Sequence, residues 1–111
     1  MLNWVEYRKE LLGRIGEIGQ ITPDTVKGYK TLSAATTGSL DAKTRELIAL
    51  AVAVTTRCDG CITVHVDAAL KHGANREEIA EALGVAVSLN AGAALVYSAR
   101  VMDAVAAHEN A

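Results

Sequence analysis

Between Ala82 and Ala99 the chain reads ALGVAVSLNAGAALVYSA, a run of 18 residues without a charge. Such a run has to be hidden from water by a bilayer, by the rest of the chain or by other chains, and each choice dictates a different fold. About 20 apolar residues suffice to span a bilayer. Here Ser88, Asn90, Gly92 and Ser98 interrupt the run, and charged helical segments bracket it closely. The expectation is therefore two consecutive helices, parting near Asn90 and buried on most sides. Other subunits should supply part of the cover, because 111 residues have trouble hiding such a surface alone. The same length leaves room for one domain, residues 1–111, and little for a second function.

The remaining sequence is punctuated as helices. Ala, Val and Leu dominate the apolar half of the composition and Phe is absent, which suits helices whose backbones approach closely. Asn3 is placed to cap a first helix through about Glu17, with Trp4, Tyr7, Leu11 and Ile15 along one face and Gly16 and Gly19 at its end. Thr22 and Pro23 open a second helix in the N-cap and first helical positions. TTGSLD, residues 36 to 41, breaks the chain, and Asp41 caps a third helix that is apolar on every side from Leu47 to Val54. A fourth helix runs from about Cys58 to His72 and stops at Gly73. Asn75 and Glu78 have the spacing of a capping box that starts a fifth, and a sixth follows to about His108. The fold class expected is all-α, a single-domain bundle of about six helices.

Charge and location narrow the functions. The net charge is −2 and the basic residues are scattered, so no stripe suited to nucleic acid is present. The first residues carry Glu6, Arg8, Lys9 and Glu10 where a signal peptide needs an apolar run, so a cytoplasmic location is expected. In that compartment structural disulfides are rare, and a cysteine pair points to catalysis or metal binding.

That pair lies in RCDGCITVH, residues 57 to 65. Thr56 and Asp59 are both plausible caps, which sets Cys58 and Cys61 at the start of the fourth helix. At about 100° per residue, Cys58, Cys61 and His65 share one helix face. Free N–H groups at a helix start stabilise a thiolate and lower its pKa, so a C-x-x-C there suits dithiol–disulfide exchange. Glu46, near the start of the third helix, is a candidate base if an antiparallel turn of the chain brings it over Cys61 and His65. Pairing with Lys43 or Arg45 at the surface is the plainer alternative. Zinc held by Cys58, Cys61, His65 and Glu46 is a rival reading, though structural zinc sites usually add a second pair of ligands. A c-type haem would need histidine where Ile62 stands. No cofactor and no metal is expected. His72 reads as a helix C-cap, His108 as part of a fraying tail, and Trp4, Tyr29 and Tyr97 as core or interface anchors.

Glu46, eleven residues, Cys58-x-x-Cys61, three residues and His65 together resemble the motif E-x11-C-x2-C-x3-H of the alkylhydroperoxidase D-like branch of the carboxymuconolactone decarboxylase superfamily. The likeness extends over Asp41 to Leu83 and, in apolar character, to about Ala104. The resemblance implies a thiol-dependent peroxidase or disulfide reductase that assembles as a homo-oligomer, often a trimer or hexamer. It would make Cys61 the peroxidatic thiol and Cys58 the more exposed resolving thiol. Glu46 would draw the proton away, with His65 in the relay. An external dithiol, a lipoyl group or a thioredoxin-like protein, would restore the dithiol. The best-known members carry a histidine just before the second cysteine; here it is Gly60, and the relay is one member shorter. Two other functions remain in view. One is a ring-opening decarboxylase of the parent superfamily, which calls for no C-x-x-C; the other is a redox- or zinc-dependent interaction module.

Overall fold

The computed structural model describes residues 1–35 and 38–111, and all regular structure among them is helical. The five helices are α1 (Trp4–Ile21), α2 (Pro23–Ala34), α3 (Ala42–Thr56), α4 (Asp59–Lys71) and α5 (Arg76–Glu109). Thr36 and Thr37, within the expected break at 36 to 41, lie outside the described residues.

Local chemistry places most of the ends. The Asn3 side chain accepts from the Glu6 amide, and Asp41 accepts from the Thr44 amide at 2.7 Å. Hydrogen bonds from Thr44, its backbone amide first and its side chain second, hold the Asp41 carboxyl below the usual range. Asn75 and Glu78 form the reciprocal capping box at 2.8 and 3.1 Å. Thr22 occupies the N-cap position of α2 with Pro23 behind it, but its hydroxyl donates back to the Ile18 carbonyl instead of capping forward. Gly73 takes φ +87° just past the α4 cap His72, a left-handed conformation natural to glycine.

Two expectations fail. α1 does not stop near Glu17 but continues through Gly16 and Gly19 to Ile21, where the turn into Pro23 ends it. A glycine inside a helix costs only about 1 kcal/mol, and Gly19 faces the Val26 side chain at van der Waals distance. Nor is there a sixth helix: α5 is continuous across Asn90. The Asn90 amide, instead of disrupting the backbone, donates to the Ala86 carbonyl one turn back and to Thr55 Oγ1 on α3.

Helix α3 is the hub. It packs against α4 and α5, α1 packs against α4, and among the described elements α2 rests on α1 alone. α3 and α4 fold back on each other through a corner made by Arg57 and Cys58. Arg57 sits at φ 55°, ψ 50°, an unusual left-handed conformation for a residue with a side chain. α3 and α5 run parallel: Lys43 pairs with Glu78 at 2.7 Å, and twelve residues on Thr55 meets Asn90 at 2.9 Å. The core between these three helices is small, built on Leu50, Ala69 and Ala74 with Leu47, Val66 and Ile79 against it. The stretch from Leu47 to Val54 is central but not covered all round, since Ile48, Val52 and Val54 remain exposed.

Past Asn90, α3 has ended and α5 runs on to Glu109, an overhang of about 28 Å at 1.5 Å per residue. Leu95, Val96, Tyr97, Val101 and Met102 on it are all exposed by 62% or more. By length and composition α5 would also suffice to cross a bilayer. The chain exposes 8611 Å² at 11.6 kDa, against about 5,800 Å² for a compact monomer of that mass. Its radius of gyration is 19.0 Å, against about 13 Å for a compact domain of this length.

Candidate active site

The corner after α3 sets the cysteines. Cys58 is itself the N-cap of α4, in extended backbone, where the sequence suggests Thr56 or Asp59. Its Sγ accepts from the Cys61 amide at 3.1 Å. Cys61, in the first turn, has its Cα 5.2 Å from that of Cys58, and the two sulfurs are joined as a disulfide. Both residues are half-buried, so burial does not single out either one as the exposed partner. Thr56 spends its hydroxyl on the carbonyls of Val52 and Ala53.

One turn beyond Cys61, His65 turns its ring towards α3. Its Nδ1 lies 2.6 Å from Glu46 Oε2, with the side chains 30% and 20% exposed. A carboxylate only accepts, so Nδ1 is the donor of this bond and Nε2 is the ring nitrogen left for another partner. The antiparallel return of α4 over α3 thus brings together two residues that lie nineteen apart in sequence. The alternative partners of Glu46 are engaged elsewhere: Lys43 with Glu78, and Arg45 with the Leu40 carbonyl. The Lys43 hydrogen bond, then that to the Asn75 amide, holds the Glu78 carboxyl below its usual range.

In front of the disulfide is a slot of about 360 Å³, walled by Leu11, Ile15 and Ile18 of α1, Thr25, Val26 and Tyr29 of α2, and Val64 of α4. Cys58, Gly60, Cys61 and His65 face it from the start of α4. Tyr29 therefore lines the site rather than serving as a core anchor, and Leu11 and Val26 join it. Nothing local in the sequence marks these three, because their role depends on how the first two helices fold over the fourth. Three contacts fix that arrangement. The buried Thr63 hydroxyl donates to the Trp4 carbonyl at 2.9 Å, Arg8 meets Asp67 at 3.3 Å, and Leu11 lies over Gly60. The Lys71 hydrogen bond, with help from the charges of Arg8 and Lys71, lowers the pKa of Asp67.

Gly60 now has a structural reason. A Cβ there would stand 2.7 Å from Leu11 Cδ2. A methyl group would make that leucine swing aside, and an imidazole would start in the space it occupies. Glycine leaves that space to the Leu11 side chain, which would have to shift for any larger residue.

Among the described residues, no three His, Cys, Asp or Glu side chains gather so as to hold a metal ion. Cys58, Cys61, His65 and Glu46 instead form two bonded pairs along the hairpin, one covalent and one hydrogen-bonded. Tyr97, another of the three expected anchors, is exposed on the overhang with the Arg100 guanidinium 5.2 Å from its ring.

Comparison with known proteins agrees with this architecture. An uncharacterized protein of Haemophilus influenzae is 47% identical over 104 residues, covering 92% of each chain. The crystal structure of a carboxymuconolactone decarboxylase family protein from Legionella pneumophila superposes with a TM-score of 0.75. It is 38% identical and the match covers 86% of this chain and 88% of that one. A protein from Methanobacterium thermoautotrophicum superposes with a TM-score of 0.69 at 31% identity, over 74% of this chain and 94% of that one. The carboxymuconolactone decarboxylase family profile matches residues 23–104, which hold α2 to α5 almost entire together with both cysteines, Glu46 and His65. By sequence and by fold, the chain belongs to the carboxymuconolactone decarboxylase family.

Proposed function

We propose that the protein is a thiol-dependent oxidoreductase of the alkylhydroperoxidase D-like kind, cycling Cys58 and Cys61 between dithiol and disulfide. The observation that carries this reading is the Glu46–His65 hydrogen bond on the same hairpin as a disulfide that opens onto a slot. In the reduced protein, His65 Nε2 takes the Cys61 proton while Glu46 holds Nδ1 and steadies the ring as it becomes charged. The Cys61 thiolate attacks the terminal oxygen of a hydroperoxide; the O–O bond breaks, and the departing alkoxide regains the proton as an alcohol. Cys61 is left as a sulfenic acid, and the Cys58 thiol displaces its oxygen as water to form the disulfide. An external dithiol, on a lipoyl group or a thioredoxin-like protein, is oxidised in turn to restore both thiols. On a partner disulfide, the same thiolate would attack sulfur instead of oxygen.

The test is to mix the reduced protein with one equivalent of an organic hydroperoxide and follow intact mass and free thiols. The expected result is rapid loss of both thiols and of the mass of two hydrogens. Cys58→Ser should stall with one added oxygen on Cys61. Thiols that persist in the wild-type protein rule out the peroxidase chemistry, and a disulfide substrate is then tried. Decarboxylation of a lactone acid, the activity after which the family is named, needs no dithiol. If that is the function, it survives in the Cys58→Ser, Cys61→Ser double variant.

The working form we propose is a homo-oligomer, a trimer or hexamer. The surface in excess of a compact monomer, about 2,800 Å², is of the size that obligate interfaces bury. The overhang of α5 is uncharged on every side from Ala91 to Ala99, which calls for cover from more than one direction.

A further inference from the structure

The family profile begins at Pro23, so α1 lies outside the segment it matches, yet α1 forms a whole wall of the cysteine slot. We propose that α1 is the specificity-determining element of this site. Leu11, seated on Gly60, sets the width of the slot, which admits an unbranched, uncharged aliphatic chain and turns away branched or charged molecules. This rests on the dithiol reading for the reaction, but the binding it describes stands on the slot alone.

Three observations carry the assignment. The first is shape. Leu11, Ile15 and Ile18 follow one another along α1 over about 10 Å, so the slot is elongated, and Leu11 constricts it where it lies over Gly60. The second is chemistry. Among the described residues no Asp, Glu, Lys or Arg side chain lines it, and the polar groups are Thr25, Tyr29, His65 and the two cysteines. A charged ligand would lose hydration there with no opposite charge to compensate, whereas a methylene chain meets aliphatic walls on α1, α2 and α4. The third is rigidity. The Thr63–Trp4 bond at 2.9 Å and the Arg8–Asp67 pair at 3.3 Å pin the start of α1 to α4, so the Leu11–Gly60 contact is a fixed gap rather than a loose flap. A larger residue at 60 would push the Leu11 side chain aside, which makes Gly60 part of the same device.

The experiment titrates the oxidised full-length protein with 1-octanol, which is unreactive towards a disulfide, and follows backbone amide shifts by NMR. Shifts are expected at Leu11, Val26, Val64 and His65. They should be at least about tenfold weaker in apparent affinity for Leu11→Trp, which fills the slot. Octanoate at neutral pH should bind more weakly than 1-octanol. In the reduced protein, Leu11→Ala should raise the rate with cumene hydroperoxide relative to that with a linear alkyl hydroperoxide by about tenfold. Leu11→Ala also keeps the test open if the tryptophan variant misfolds, because widening the slot should weaken 1-octanol binding too. The proposal is overturned if 1-octanol leaves these amides unmoved, if neither variant alters its affinity, or if octanoate binds as well. Inert thiols alongside Leu11-dependent 1-octanol binding would sink the redox reading and leave this one standing.

Discussion

The two ends of α5 live in different surroundings. From Arg76 to Asn90 the helix lies parallel to α3, tied by Lys43–Glu78 at one end and Thr55–Asn90 at the other. From Ala91 onward it runs past the end of α3 and keeps Leu95, Val96, Tyr97, Val101 and Met102 in the open. The first end has charges for solvent and small residues for α3; the second has no charge until Arg100. One continuous helix thus serves the fold of the chain and, in the oligomer proposed above, would serve the contact between chains.

The strongest way to break that contrast is to put charge on the overhang. Leu95→Glu should reduce the assembly to single chains by light scattering in detergent-free buffer and lower the thermal midpoint by more than about 10 °C, since stability and assembly are then inseparable. An unchanged mass would mean that the overhang is not an interface. Next in size, Leu50→Ala acts on the packed end, where it leaves a cavity and should cost about 2–5 kcal/mol in chemical denaturation. Its destabilisation should appear at every protein concentration, while that of the overhang variant depends on assembly. A smaller loss, about 1–2 kcal/mol, is expected for Thr63→Val, which strips the Trp4 carbonyl of its buried donor. Amide hydrogen exchange should quicken along α1 in that variant and leave α5 untouched. An equal rise in α5 would show that the hairpin and the long helix are not separate units.

The smallest effect is a pH dependence at the packed end. The Lys43 and Asn75 bonds depress the Glu78 pKa in the folded chain. Their stabilisation is therefore present above the unfolded value, about 4.3, and is lost as pH falls through the lower folded value. Glu78→Gln should be less stable than wild type near neutrality, with the gap closing in acid. A gap that stays constant with pH would deny the ion pair any part in holding α5 to α3.

The caps of this fold are legible in the sequence because each depends on one side chain and an amide two or three residues away, as at Asn3, Asp41 and Asn75. Asn90 misleads for the opposite reason. Asparagine disfavours helix interiors when its amide competes for the backbone, but Thr55 of another helix gives this one a tertiary partner, and only the packed structure holds that partner. The site divides along the same line. The spacing of Cys58, Cys61 and His65 is a property of one helix and can be read directly, and the family motif adds Glu46. Leu11 and Tyr29 reach the slot from helices with no motif, so no local pattern distinguishes them from ordinary amphipathic positions.

Cys58 has two duties at one atom: its sulfur is half of the disulfide and also the acceptor at the head of α4. Opening the disulfide turns that acceptor from a neutral sulfide into a group that can ionise, and an anionic sulfur draws an amide proton more strongly than a neutral one. The backbone of the first turn would therefore register the oxidation and reduction that the proposed function requires. The Cys61 amide resonance would be a gauge of where the protein stands in the proposed dithiol–disulfide cycle, readable without substrate or dye.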